Sequence, residues 1–245
     1  MSMTPTERAI RHLVVANHIL AHEGVLDAYG HVSIRHPERP DRYLLSRSRS
    51  PELVEVRDII EFTIDGEAAA GDKRPPYLER FIHGCIYEAR LQVSAVVHSH
   101  AEEIVPFSIS MSTKLRPVWH AAGRAGRDIP VWDIRDKFGD TNLLVQNMAQ
   151  GRDLAERLAG NRAVLMRGHG FAVGAESLIE ALWISIYLPR NAQMYMDALK
   201  LGDVKVLSDG EIAQSEKMQP ESPAMQRAWE YWARRAGCEA LLADG

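Results

Sequence analysis

Val93-Ser94-Ala95-Val96-Val97-His98-Ser99-His100 is the stretch from which the rest of the chain can be read. Its first five residues are a short valine-rich run bounded by polar residues, the pattern of a strand buried on both faces. A strand sends alternate side chains to opposite faces, so His98 and His100 leave its end on the same side, at a spacing that one metal ion can bridge. Alone, a His-x-His pair is about as often a hydrogen-bonded pair of histidines as a metal site. The neighbouring segments decide between the two.

A second apolar strand, Ala163 to Met166, ends in Arg167-Gly168-His169-Gly170, where two glycines let the backbone approach a site closely. Phe171 to Val173 is a candidate continuation beyond that turn. Pro75-Pro76 introduces a helix in which Leu78, Phe81, Ile82, Cys85, Ile86 and Ala89 keep three-and-four spacing through Arg90. Glu79 falls in its first turn, where the macrodipole favours an ionised carboxylate. Three neutral imidazoles with a carboxylate or water suit Zn²⁺, Mn²⁺ or Co²⁺ rather than a thiolate-loving ion. Such an ion can polarise a carbonyl or take up enolate charge when a carbon–carbon bond breaks. Cupins also use His-x-His, but in an all-β fold with a glutamate further on; Glu102 and Glu103 come too early, and the helices here are long.

Outward from these motifs, Thr4-Pro5-Thr6-Glu7 is a capping box that opens a helix with Ile10, Leu13, Val14 and Leu20 on one face. His31 to Arg35, Tyr43 to Ser46 and Ile59 to Asp65 read as antiparallel strands, the last ending in an Asp65-Gly66 hairpin signal. Ser177-Leu178-Ile179-Glu180 caps a long helix that stops near Gly202, and Pro189 inside it predicts a kink or a division into two helices. A polar stretch follows, then a final amphipathic helix from Ser222-Pro223 with Met225, Ala228, Trp229 and Trp232. The expected organisation is one α/β domain over residues 1–202 and a tail over 203–245, whose helix packs on the domain or on a neighbouring subunit.

Among the 245 residues, 46% are hydrophobic and 25% charged, which allows a sizeable single core. The net charge of −4, with no basic cluster carrying interleaved aromatics, points to a small-molecule partner rather than nucleic acid. No membrane segment or leader pattern is expected, and the two cysteines give no disulfide framework, so the reading is a cytoplasmic protein.

Four signatures in order carry a resemblance: Gly30-His31-Val32-Ser33, Glu79-Arg80-Phe81-Ile82-His83, Ala95-Val96-Val97-His98-Ser99-His100 and Met166-Arg167-Gly168-His169-Gly170. Together they resemble the class II aldolase/adducin family over roughly residues 7 to 202. The resemblance implies a three-layer α/β/α sandwich around a mixed, mostly antiparallel sheet. It also implies a homotetramer or higher homo-oligomer with sites near subunit interfaces, and one divalent ion per subunit on His98, His100 and His169. Glu79 would be the acid/base residue and a further ligand. Adducin heads share the fold without catalysis, and the intact histidine and glutamate set speaks against that alternative.

Departures from the sugar-phosphate aldolases redirect the expected substrate. His31 stands where they use an asparagine, Ser46-Arg47-Ser48-Arg49-Ser50-Pro51 replaces their phosphate loop, and Tyr77-Leu78 replaces a serine pair. Arginine clamps carboxylates and histidine hydrogen-bonds phenols, so the chain is read as similar to the branch that decarboxylates hydroxylated aromatic or pyridine dicarboxylates. Retro-aldol cleavage of a carbonyl substrate is the alternative. In the favoured reading Glu79 gives the proton to the ring carbon, with His31 behind it. Arg47 or Arg49 binds a carboxylate, and Ser33, Ser46 and Ser48 are added donors. His120 lines the pocket or is contributed by a neighbour. His83, one turn after Glu79, is read as a helix-surface histidine in preference to a partner of the carboxylate.

Overall fold

The computed structural model describes residues 3–242. In chain order it forms helix α1 (Pro5–His22), strands β1 (His31–Arg35), β2 (Arg42–Ser46) and β3 (Ile59–Thr63), helix α2 (Arg80–Ala89) and strand β4 (Ala95–Ser99). Helix α3 (Val105–Ile109), strand β5 (Val131–Trp132), and helices α4 (Arg135–Phe138) and α5 (Met148–Leu158) follow. Strands β6 (Ala163–Met166) and β7 (Gly170–Ala175) and helices α6 (Leu178–Leu201), α7 (Asp209–Ser215) and α8 (Pro223–Arg235) complete it.

The strands make one sheet in the order β3-β2-β1-β4-β7-β6-β5. Every pairing is antiparallel except β5 with β6. Strand β4 is the central one, and its alternation divides the core. Ala95 and Val97 pack with Leu13, Ile19, Leu182 and Ile186 of α1 and α6, whereas Val96 packs with Ile82, Ile86 and Leu154 of α2 and α5. Helices therefore cover both faces, giving the expected α/β/α sandwich. Each of the valine, leucine and isoleucine side chains among these, fully buried, stabilises the fold by roughly 1.5–3 kcal/mol. A one-residue slip of β4 would turn both sets to the wrong layer, so packing fixes the register. That register pairs His31 with His98 and Ser33 with Val96.

The capping box at Thr4 is present, with the Thr4 amide donating to Glu7 at 2.8 Å. Several boundaries differ from the sequence reading. Strand β3 stops at Thr63, because the chain already turns there: the Gly66 amide donates to Thr63 and the Thr63 amide to Glu67, with Gly66 at φ +81°. Helix α2 begins at Arg80 rather than just after Pro75-Pro76. Pro76 instead bridges Arg47 in extended form, and Leu78 is left 48% exposed. The strand expected at Val93 to Val97 runs from Ala95 to Ser99 and so includes His98. Helix α6 is continuous through Pro189, which excludes the two-helix alternative.

The tail helix α8 lies on α1 and α6, with Trp229 against His12 at 5.7 Å and Trp232 against Trp183 at 6.0 Å. The last three residues of the expected tail lie outside the described residues. No helix among those described is long and apolar enough to cross a membrane.

Candidate metal centre

Strand β4 carries His98 on its α2-facing side, and His100 follows just past its end. The β6–β7 turn brings His169 alongside. Its geometry depends on two glycines: Gly168 adopts φ +64°, and a Cβ on Gly170 would lie 2.0 Å from the Ser99 carbonyl oxygen. Glu79, the N-cap residue of α2, completes the group. One ligand atom from each of Glu79, His98, His100 and His169 falls within 4.8 Å of all the others.

The outer hydrogen bonds decide what this cluster can hold. His98 Nδ1 donates to the Phe171 carbonyl at 3.0 Å, and His169 Nδ1 donates to the Leu143 carbonyl at 3.0 Å. His100 Nδ1 lies 3.3 Å from the Asp27 carboxylate, which is also anchored by the Tyr29 and Gly30 amides. Acceptors on all three Nδ1 atoms place the protons there, so the three Nε2 lone pairs face one another. His98 and His100 Nε2 are 3.1 Å apart, and His169 Nε2 is buried with no hydrogen-bond partner. Glu79 Oε2 lies 3.3 Å from His98 Nε2 and 3.5 Å from His169 Nε2, while its Oε1 accepts from the Val145 amide at 2.8 Å.

Burial opposes the charge of Glu79; positive charge at His98 and His169, whether a ring proton or a cation held between their Nε2 atoms, outweighs it and holds the carboxyl well below its usual range. His100 is pushed down to about 4 by burial and by His98 and His169. Three neutral imidazole nitrogens and a carboxylate converging with no proton to share form an electron-rich pocket that a divalent cation satisfies. The donor set fits Zn²⁺, Mn²⁺ or Co²⁺.

Beside this cluster opens a cavity of about 520 Å³. Tyr29, Tyr77, Leu78, Leu143 and Leu144 make its apolar walls. His31, Ser48 and Asn142 add polar groups, and no Lys or Arg of the described residues lines it. Behind His31 lies a set of buried polar groups. His31 Nδ1 is 2.6 Å from His83 Nε2, His83 Nδ1 is 2.6 Å from Ser33 Oγ, and Ser33 Oγ is 2.8 Å from the Tyr87 hydroxyl. Burial, reinforced by His98, lowers His83 to about 3; burial, then His83 and His98, also lowers His31.

The structure thus brings together His98, His100, His169, Glu79, His31 and Ser48. It separates the others. Arg47 and Arg49 do not line the cavity: successive residues of an extended segment alternate, so Ser46 and Ser48 turn inward while the arginines meet Asp58 at 2.7 and 3.3 Å. Ser46 Oγ is buried against the Tyr77 hydroxyl at 3.4 Å, and Ser33 faces His83 rather than the cavity. His120 is exposed beside Trp119, away from the cavity lining of its own chain. His83 corrects the surface reading, being wholly buried. The sequence reading missed Asp27, Tyr29 and the segment Asn142 to Val145. That segment acts through a carbonyl and an amide, with Leu143 at φ +67°, and main-chain groups leave no residue-type signal.

A family profile described as Class II Aldolase and Adducin N-terminal domain matches residues 11–196. The chain belongs to that family. It is 32% identical to decarboxylase tropJ of Talaromyces stipitatus over 98% of both chains, a match that includes the tail. It is 27% identical to 3,4-dihydroxyphthalate decarboxylase of Arthrobacter keyseri, covering 82% of this chain and 84% of that one. It is 30% identical to L-fuculose phosphate aldolase of Escherichia coli K12, covering 75% and 80%.

Proposed function

We propose that the protein is a metal-dependent decarboxylase of a hydroxylated aromatic or pyridine carboxylate, a dihydroxyphthalate-type acid being the leading candidate. One Zn²⁺, Mn²⁺ or Co²⁺ would be held by His98, His100, His169 and Glu79. The observation that carries this reading is the cavity beside the cluster. Two tyrosines and three leucines wall it, and no cation among the described residues lines it. A planar ring suits such walls. A second carboxylate on the ring would meet Ser48 and Asn142 rather than the expected arginines.

The metal, when bound, supplies a Lewis acid that draws electron density from substrate oxygens as the carbon–carbon bond breaks. Glu79, ionised, is positioned as a base to take the proton of the ring hydroxyl. It then returns that proton to the carbon that has lost CO₂. Hydroxyaryl carboxylate becomes CO₂ and phenolate, with no outside proton required. His31, whose ring lies 4.6 Å from that of Tyr77, would hold a substrate oxygen.

We read the working form as a cytoplasmic homotetramer: Tyr29 and Leu78 line the cavity yet are 72% and 48% exposed, surface that a neighbouring subunit would cover. His120 can reach a site only across such an interface. Retro-aldol cleavage stays the second reading because of the similarity to L-fuculose phosphate aldolase. The test is to incubate metal-loaded protein with hydroxyphthalates, hydroxypyridine dicarboxylates and sugar phosphates, measuring CO₂ and aldehyde. CO₂ from a hydroxyaryl acid supports decarboxylation; aldehyde from a sugar phosphate without CO₂ from any acid replaces it with aldol cleavage.

A further inference from the structure

His83, Ser33 and Tyr87 are buried and take no part in the metal cluster. Their hydrogen bonds form an unbranched series that ends at the Tyr87 hydroxyl. Among the described residues, that hydroxyl is bonded to Ser33 Oγ and to the Val96 amide, and of the two only Ser33 Oγ can accept its proton. A buried hydroxyl must place its proton on an acceptor, because leaving it unpaired forfeits the solvation it had in water.

That end condition sets the direction of every bond. Tyr87 donates to Ser33 Oγ, so the Ser33 proton points to His83 Nδ1. His83 is therefore protonated at Nε2 and donates to His31 Nδ1. The reverse direction makes Ser33 donate to Tyr87 and leaves the tyrosine proton facing apolar core. Both rings are buried, and neither has a carboxylate hydrogen-bond partner, so each carries a single proton. His31 then bears its proton on Nε2, the ring nitrogen that His83 does not occupy. Bonds aligned in one direction in a dry interior reinforce one another.

We propose that the Tyr87–Ser33–His83 chain locks His31 as its Nε2–H tautomer, so that the cavity presents a fixed hydrogen-bond donor to a carbonyl, phenolate or carboxylate oxygen of the substrate. Treating the cavity as the substrate site rests on the proposed function; the tautomer itself does not. His83 is a positioning residue acting through His31. The site would favour a ligand with an oxygen acceptor at that position over one with an amino group there.

The test begins with wild-type protein carrying ¹⁵N-histidine and loaded with diamagnetic Zn²⁺. Long-range ¹H–¹⁵N correlations show which nitrogen of each ring is protonated, and His31→Asn identifies the His31 signals by their loss. Protonated Nε2 with bare Nδ1 is expected, and protonated Nδ1 would overturn the proposal. In Tyr87→Phe, which removes only the terminal hydroxyl, the His31 signals are expected to move toward the Nδ1–H form; unchanged signals would overturn the role of Tyr87.

Turnover gives a second readout. His83→Gln can still donate to His31 and accept from Ser33, so kcat should stay within about threefold, whereas His83→Leu should lower kcat tenfold or more with a smaller change in KM. Equal kcat in the two variants would overturn the positioning role. Should His83→Leu not fold, the wild-type and Tyr87→Phe spectra decide alone. Should no hydroxyaryl acid be decarboxylated, the proposed reaction fails while the tautomer remains measurable.

Discussion

The Nε2 atoms of His98 and His100 face each other at 3.1 Å with no proton between them, because each ring gives its Nδ1 proton outward, to the Phe171 carbonyl and the Asp27 carboxylate. A hydrogen bond between them would require an imidazolium in a site where burial disfavours charge. With His169 Nε2 and Glu79 Oε2 added, the cluster without a cation is a set of facing lone pairs. It is the feature on which the account of this protein turns.

Metal binding should therefore stabilise the fold. Zn²⁺ or Mn²⁺ at a hundred times its Kd is expected to add about 2.7 kcal/mol to unfolding free energy. His169→Ala should lose most of that gain. Thermal denaturation with and without chelator measures it, and an equal metal response in wild type and His169→Ala would remove His169 from the ligand set.

Glu79→Gln keeps an oxygen for the Val145 amide but loses the carboxylate charge. Turnover is expected to fall by roughly 10²–10⁴, while the three histidines retain the metal. Parallel kcat and metal-content measurements check this. Near-normal turnover would remove the acid/base role.

Gly170→Ala should be strongly destabilising, since its Cβ would meet the Ser99 oxygen at 2.0 Å and His100 Cα at 3.0 Å, both main-chain atoms that cannot swing aside. A loss of about 1–3 kcal/mol or more is expected, read from the urea midpoint, with weakened metal binding because β4 must shift to relieve the clash.

Asp58 ties down the loop whose arginines looked like substrate ligands. Burial raises its carboxyl, but the Arg47 hydrogen bond, the Glu55 amide and the charges of Arg47 and Arg49 outweigh this and leave it below its ordinary 3.8. A depressed folded value means the contribution is present above pH 3.8 and is lost as pH falls through the folded value. Asp58→Asn should flatten that acid limb of the stability curve, while Arg47→Ala should change stability more than KM. A large rise in KM with unchanged stability would return Arg47 to the substrate.

The candidate ligands are legible because strand alternation is rigid: with Val93 to Val97 a buried strand, His98 and His100 must share a face, and the glycines mark His169. The same rule, carried through Ser46-Arg47-Ser48-Arg49, separates serines from arginines. His83 was readable too. Phe81 to Tyr87 contains no Asp, Glu, Lys or Arg, and a helix segment apolar all round is buried all round. Leu143, Val145 and Phe171 orient the ligands through main-chain groups, which only the folded chain reveals.

The most direct measurement is CO₂ release from a hydroxyphthalate panel by protein stripped with chelator and then titrated with one divalent ion. Activity should vanish on stripping and return in proportion to metal until about one ion per chain is bound. CO₂ release that survives complete metal removal would contradict the account.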